Sequence, residues 1–287
     1  MKHLSVALLL LLWGLNSFAQ ESFKELNKKG NEALNKADYE TALTYFTKAV
    51  KVGTDDQSNL AWTAAIAGIC AHELSKTDEA MQLFSKAIQN KTTDVDIYQR
   101  QITLTSKKHP KLYEEVLQLG RKNLPQFNAS YTSKLMYLYL KQKQYDKAVT
   151  TADELLKLKP GKTKALYIKA VALIGLKKYT EAETIFKSII EKEPTNHKAL
   201  TQYGLLLNNL ATVKFETAKA KYNKLAKPTR MDYAKYKKET KLSYPAYNKA
   251  IDILLKAYAV KSSAAVKKAL FTAYTRTEQK EKANKYK

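Results

Sequence analysis

Histidine is the side chain that most often binds a metal or moves a proton near neutral pH. The chain contains four of them, His3, His72, His109 and His197. No two are spaced four residues apart, as in the HExxH motif that holds zinc on one face of a helix. The single cysteine, Cys70, excludes both a CxxC metal motif and an intramolecular disulfide. The sequence therefore predicts no metal site and no cofactor.

Other groups that carry chemistry are also poorly placed for it. Adjacent carboxylates occur at Asp55–Asp56 and Glu114–Glu115, but neighbours in a helix point in different directions and make no acid–base pair. The sequence contains no glycine-rich phosphate loop and no GxSxG nucleophile elbow. Cys70 falls in an apolar helical stripe, which predicts a buried thiol. We therefore predict a protein without catalytic activity.

The elements that would position such groups follow a repeat. Residues 143–161 and 177–195 share one pattern, and a fixed period of this length is typical of stacked-repeat proteins. The corresponding residues, each pair 34 positions apart, are Tyr145 and Tyr179, Ala148 and Ala182, and Pro160 and Pro194.

The same skeleton occurs earlier in the chain. It comprises Gly30, Tyr39, Ala42, Phe46 and Ala49 within residues 26–50, and Gly68, Ala80, Phe84 and Ala87 within residues 61–88. Steps of three and four residues place the aromatic and alanine side chains on one face of a helix. Small residues let two helices approach closely, and the aromatic ring fills the space beside them. A single helix pair cannot bury this face, so neighbouring pairs must stack.

This pattern resembles the tetratricopeptide repeat family. The resemblance implies an all-α fold, a right-handed α-solenoid of stacked helix-turn-helix repeats. We assign residues 20–196 to repeats 1–5, with helix pairs at about 22–53, 58–91, 95–124, 129–159 and 163–193. The third repeat is degenerate, because Gly120 stands where an aromatic residue belongs.

Residues 197–262 allow two interpretations. No Gly or Pro interrupts residues 205–227, which favours one long helix ending near Pro228 and an elongated hairpin whose second arm is kinked near Pro245. The alternative is two further standard repeats. Residues 263–287 are predicted to form a C-terminal capping helix and a basic tail.

The N-terminus has the layout of a cleavable signal peptide at residues 1–19. Lys2 precedes an apolar run from Leu4 to Leu15, and Ser17 and Ala19 place small residues before a cleavage site. The run is shorter than the roughly 20 apolar residues that a spanning helix needs. We expect an exported protein beginning at Gln20, periplasmic or envelope-associated in a Gram-negative cell and otherwise secreted.

The resemblance also implies a binding surface, since the first helix of each repeat lines the concave face of such solenoids. Polar and aromatic side chains there combine contact area with hydrogen bonding. The predicted groove residues are Asn27, Asn31, Ser133, Tyr137, Tyr167, Val171 and Thr201. For Tyr137 and Tyr167, packing between repeats is an equally good interpretation.

The chain is strongly basic, with a formal net charge of +23. Residues 211–287 hold 20 Lys and Arg against 6 Asp and Glu, interleaved with tyrosines. A predicted basic patch comprises Lys221, Lys224, Lys227, Arg230, Lys235, Lys237, Lys238 and Lys241. A solvated surface, a site for anionic partners and, less favoured because of the export signal, nucleic-acid binding remain open.

The sequence thus favours a non-catalytic scaffold of the cell envelope that binds a peptide or protein partner in the concave groove. The alternative is electrostatic binding of anionic lipid headgroups or acidic polysaccharide by the Lys/Tyr-rich hairpin. No segment after the signal is apolar enough to span a membrane.

Overall fold

The structure, a computed structural model, describes residues 21–287. The predicted signal peptide lies outside these residues. The regular secondary structure of the described part is entirely helical. Within it, no helix combines the length and apolar character that crossing a bilayer requires. The predicted all-α repeat fold is confirmed.

The helices follow one another with short connections. They are α1 (Phe23–Leu34), α2 (Tyr39–Val52), α3 (Gln57–Glu73), α4 (Thr77–Gln89), α5 (Val95–Thr105), α6 (Pro110–Asn123), α7 (Asn128–Lys141), α8 (Tyr145–Leu158), α9 (Thr163–Gly175), α10 (Tyr179–Lys192), α11 (His197–Asn223), α12 (Arg230–Lys241), α13 (Tyr244–Val260), α14 (Ala264–Arg276) and α15 (Lys280–Asn284). A short 3₁₀ turn at Pro125–Phe127 precedes α7.

The turns inside the repeats share one backbone geometry. A residue in the left-handed region, with φ between 57° and 63°, follows the first helix of several pairs: Ala37, Ser75, Lys143, Lys177 and Glu278. The next residue donates its N–H to a carbonyl five positions back, which closes the helix end. Because Glu278 follows α14, the turn from α14 to the short α15 has the same geometry as a turn within a repeat.

The chain divides into two compact units, the first ending at Tyr131 and the second beginning at Thr132. In the first unit, glycines allow the paired helices to approach. A Cβ atom on Gly30 would lie 2.7 Å from the Phe46 ring, and one on Gly68 would lie 2.6 Å from the Phe84 ring. Both rings are fully buried. The predicted pairing of a small residue with an aromatic ring is therefore observed in repeats 1 and 2.

The degenerate third repeat is completed from outside its own helix pair. A Cβ atom on Gly120 would lie 2.8 Å from the ring of Tyr131, at the start of α7. Tyr131 is buried, and its ring centroid lies 6.1 Å from that of Tyr98. A ring from the following helix thus occupies the space that the missing aromatic residue of α6 leaves.

The second unit has a continuous core to which α9, α10, α11, α13 and α14 contribute. Phe186, Leu200, Leu254 and Leu270 are fully buried in it. At the usual transfer free energy, each such side chain contributes about 2–3 kcal/mol relative to an exposed one. This core holds the last repeats together in the absence of any disulfide.

The sixth repeat takes its second helix from α13. A Cβ atom on Gly204 of α11 would lie 2.7 Å from the Leu254 side chain. The Tyr247 hydroxyl donates to Thr212 Oγ1 at 3.0 Å. Residues 197–223 form one uninterrupted helix, as the absence of Gly and Pro favours, although it ends at Asn223 rather than near Pro228.

A helical arm lies between the first part of α11 and its partner α13. We define the arm as the end of α11 from Thr212 onward together with α12. Tyr222 and Tyr236 stack across it with ring centroids 4.9 Å apart. The expected kink near Pro245 is instead a break between α12 and α13. Pro245 lies in the first turn of α13, where its missing N–H costs nothing.

Candidate functional site

The predicted groove residues of the first unit lie on α1. Asn27 is half-buried, and its Oδ1 lies 2.9 Å from the Thr63 hydroxyl of α3, which can donate to it. Its Nδ2 donates to the Phe23 carbonyl at 3.0 Å. Asn31, one turn further on, is also half-buried. Asn27 therefore joins the first helices of repeats 1 and 2, and the surface beside it is partly polar.

The structure adds a residue that sequence reasoning missed, Trp62. It is 45% exposed although it is a large apolar side chain, and its ring meets the buried Phe46 edge-on at 6.0 Å between centroids. The sequence did carry a signal for it. Asn27 lies three residues before Gly30, and Trp62 lies two such steps before Gly68, on the first helix of the next repeat.

Trp62 forms part of a cleft of about 380 Å³, which we call the Trp62 cleft. Its other lining residues are Ser58, Ala61, Ala65 and Ile66 of α3 and Lys91, Thr92, Thr93 and Asp94 of the turn after α4. One wall is therefore apolar and the other carries hydroxyl, ammonium and carboxylate groups. This combination suits a peptide segment that inserts one apolar side chain and places its backbone against polar groups.

In the second unit, two predicted aromatic residues lie on α7 and α9. The Lys164 ammonium lies 4.8 Å from the centroid of the half-buried Tyr137 ring. The ring of Tyr167 lies 6.3 Å from the buried Phe186. Burial, with a smaller contribution from Tyr137, raises the pKa of the Tyr167 phenol. Tyr167 thus packs on the core while part of its ring remains accessible.

The remaining predicted groove residues are also half-buried on first helices. Val171 of α9 packs against the core. The Thr201 hydroxyl lies 3.3 Å from His197 Nε2 within α11. Ser133 lies on α7. Tyr203, which was not predicted, is buried and donates its hydroxyl to Glu183 at 2.9 Å, so the first helix of repeat 6 is joined to α10.

The predicted basic patch lies on the arm, and all but one of its eight residues are exposed. The exception is Lys237, which is half-buried and forms an ion pair with Glu278, after α14. A second ion pair, between Arg276 and Glu216, joins α14 to α11, and the Arg276 guanidinium lies 4.3 Å from the centroid of the Phe215 ring. These contacts join the arm to the end of α14 within the second unit.

The cysteine, histidine and carboxylate side chains of residues 21–287 do not form a cluster that could hold a metal ion. Cys70 is fully buried, as its stripe predicts, and burial raises the pKa of its thiol to about 11. His72 lies with Nδ1 3.5 Å from Arg100 Nη1. Over residues 21–287, no three His, Cys, Asp or Glu side chains are grouped so that they could hold a metal ion.

Comparison with known families agrees with the geometry of the repeats. The sequence matches the family described as tetratricopeptide repeat over residues 27–95. It also matches the family described as anaphase-promoting complex, cyclosome, subunit 3, whose repeats are of the same type, over residues 109–189. The chain is a tetratricopeptide-repeat protein.

Solved structures of other tetratricopeptide-repeat (TPR) proteins are similar. The C-terminal part of a TPR repeat-containing protein from Cytophaga hutchinsonii is 14% identical, with a TM-score of 0.50 over 90% of this chain and 92% of that one. A putative protein binding protein from Bacteroides ovatus is 19% identical, with a TM-score of 0.44 over 90% and 99%. At these identities the likeness concerns the fold alone. No curated protein matches the sequence significantly.

Proposed function

We propose that this TPR protein is a non-catalytic scaffold that binds a peptide or protein segment along the first helices of its repeats. The TPR fold itself indicates a protein-interaction scaffold. The observation that supports a specific site is the exposed Trp62 in its cleft. Tryptophan is enriched among the few residues that carry most of the binding free energy in protein interfaces. The partner would insert an apolar side chain beside this ring.

The predicted groove residues extend this surface within each unit. Asn31 beside the Asn27–Thr63 hydrogen bond would contribute polar contacts in the first unit. Tyr137 and Tyr167 would contribute aromatic contacts in the second. Half-buried tyrosines lose little side-chain entropy on binding, so they add contact area at low cost.

The proposed location is outside the cytoplasm, in the periplasm or envelope of a Gram-negative cell or in the medium of another host. The signal-like pattern of residues 1–19 supports it. Mass spectrometry of the protein recovered from the exported fraction should find Gln20 as its first residue. Recovery of the uncleaved chain from the cytoplasm would exclude this location.

Binding at the Trp62 cleft can be followed directly. The sequence has two tryptophans, Trp13 and Trp62, so a chain that begins at residue 20 reports on the cleft through a single fluorophore. Peptides selected from a random display library should shift its emission on binding. Replacing Trp62→Ala should weaken their affinity on the order of 30-fold, because a central aromatic anchor is lost.

Tyr39→Ala is the matched control, since this comparably exposed aromatic residue lies on α2, outside the first-helix surface. The control should bind the same peptides with unchanged affinity. Selected peptides that leave the Trp62 emission unaltered and bind the Trp62→Ala variant equally well would contradict the proposed site.

A further inference from the structure

The outer face of α12 is basic along its length and apolar at both ends. Met231 is 82% exposed and Leu242, which caps the helix, is 73% exposed. Residues 231, 235, 238 and 242 follow one another at steps of four, three and four, so they form one stripe. At 1.5 Å per residue the two apolar side chains are about 16 Å apart. Lys235 and Lys238 lie between them.

The cations of this face are available to a partner. Lys235, Lys238 and Lys241 are exposed. None lies within ion-pair distance of a carboxylate in residues 21–287, although Lys235 helps to lower the pKa of Asp232 and Lys241 that of Glu278. The tip of the arm adds four more exposed cations, which also form no ion pair in that part of the chain. These are Lys221, Lys224, Lys227 and Arg230.

The acidic residues of the arm lie beside this stripe and not within it. Asp232 accepts hydrogen bonds from the Thr229 backbone and hydroxyl at the start of α12. Glu239 is half-buried, and both carboxylates line a cleft of about 150 Å³ between α11 and α12. Glu216 pairs with Arg276. The stripe formed by residues 231, 235, 238 and 242 therefore contains no acidic residue, although Lys235 borders the cleft that Asp232 and Glu239 also line.

The tyrosines of the arm are largely used in its own packing. Tyr222 stacks on Tyr236, and Tyr233 lies 6.0 Å from both. Single-stranded nucleic acids need a series of open aromatic platforms on which bases stack, and of these three tyrosines only Tyr233 is exposed. Specific protein interfaces are depleted in Lys, whereas half of the residues in this stripe are Lys. The remaining polyanion that combines negative charge with an apolar interior is a lipid bilayer.

We propose that the outer face of α12 docks on a bilayer that contains anionic phospholipids. Its lysines meet the phosphate groups, and their long stems let the ammonium groups remain at headgroup level. Met231 and Leu242 enter the boundary between headgroups and acyl chains, as the apolar residues of interfacial helices do. The helix lies parallel to the surface. This inference is independent of the groove and of its partner.

Co-sedimentation with defined vesicles tests the proposal on the chain that begins at residue 20. We expect it to bind vesicles of equal parts phosphatidylglycerol and phosphatidylcholine, and to stay in solution with phosphatidylcholine alone. The triple variant K235Q/K238Q/K241Q should lose affinity on the order of 100-fold at low salt, because each lysine near an anionic surface contributes separately. The matched control K107Q/K108Q/K111Q removes three exposed lysines of the first unit and should bind normally.

A second variant separates insertion from charge attraction alone. M231S/L242S keeps every cation and should lower vesicle affinity by about tenfold, since two apolar side chains no longer enter the bilayer. We expect the unaltered chain to bind soluble heparin more weakly than vesicles, and M231S/L242S to bind heparin like the unaltered chain. Circular dichroism should show intact helices in every variant, because all the replaced side chains are exposed.

Four results would overturn the proposal. The first is no difference between the two vesicle compositions. The second is equal loss of binding in the first-unit control. The third is an M231S/L242S variant that binds vesicles like the unaltered chain, which would show charge attraction without insertion. The fourth is heparin or polyglutamate binding as tight as vesicle binding, which would assign the face to a soluble polyanion.

Discussion

Single residues decide how closely the helices of each repeat can approach. In repeats 1 and 2 a glycine leaves room for the phenylalanine sixteen residues later, and a single Cβ atom would overlap that ring. In repeat 3 the glycine stands on the second helix, and Tyr131 fills the space. The same contact between a glycine and an aromatic ring thus forms in repeat 3, but the ring comes from the following helix, α7.

Tyr131 leads to a prediction about stability and pH. Its hydroxyl is buried without a hydrogen-bond partner among the described residues, and burial raises the pKa of the phenol to about 12. The folded state therefore favours the neutral phenol. The neutral phenol contributes about 2–3 kcal/mol to the free energy of unfolding. This contribution is fully present below the ordinary pKa of about 10, and it is lost as the pH rises toward 12.

Tyr131→Phe removes both the unsatisfied hydroxyl and its titration. We expect this variant to be about 1 kcal/mol more stable at pH 8, and to lose less stability than the unaltered chain between pH 10 and pH 12. Urea unfolding at a series of pH values measures both effects. Tyr39→Phe, at an exposed position, should change neither. A destabilised Tyr131→Phe protein at pH 8 would show that the hydroxyl has a partner.

At the scale of elements, the sixth repeat differs from the others through an insertion. Ala250 stands 46 positions after Gly204, whereas Ala42 and Ala80 stand 12 positions after Gly30 and Gly68. The extra residues build the arm, and α13 then completes the repeat. The repeat tolerates the insertion because the two ends of the inserted segment lie next to each other. There the Tyr247 hydroxyl donates a hydrogen bond to Thr212.

This pairing predicts an energetic coupling between α11 and α13. Gly204→Ala should be destabilising because its methyl group overlaps the Leu254 side chain, and Leu254→Ala should cost about 2–5 kcal/mol. In the double variant the smaller side chain relieves the overlap. Unfolding free energies should therefore show a favourable coupling of about 0.5–3 kcal/mol.

Leu242→Ala is the control within the same region, since this leucine is mostly exposed. It should change stability by less than about 0.5 kcal/mol and show no coupling to Gly204→Ala. Purely additive effects of Gly204→Ala and Leu254→Ala would mean that α13 is not the partner of the first half of α11.

At the scale of the whole molecule, the excess of positive charge affects the stability of the folded state. The formal net charge of +23 concentrates like charges on one chain, and repulsion between them destabilises the folded state relative to the expanded one. Several surface ion pairs are present, such as Lys187 with Glu183 and Lys169 with Asp153, but exposed pairs usually contribute less than about 1 kcal/mol.

Added salt should therefore stabilise this protein. We expect the melting temperature to rise by a few degrees between 20 and 300 mM sodium chloride, as the screening length shortens to roughly 5–6 Å. Differential scanning calorimetry measures the shift, with a neutral osmolyte as the control for general solvent effects. A falling melting temperature would show that ion pairs outweigh repulsion.

The sequence by itself determined the repeat, its helices and its turns, because these depend on residues close together in the chain. Three local features predicted them: the 34-residue step from Tyr145 to Tyr179, the stripe of alanine and aromatic residues, and Pro160 after α8. The long run without Gly or Pro similarly predicted an uninterrupted α11. The buried state of Cys70 followed from the same periodicity.

Only the tertiary structure decided which distant surfaces meet. It brought Tyr131 against Gly120, Leu254 against Gly204 and Lys237 to Glu278. It also left Trp62 exposed, although its apolar character alone favours burial. Side-chain type and spacing describe one helix at a time, whereas burial and pairing depend on the neighbouring helix. The candidate binding surfaces of this TPR protein are therefore properties of its packing.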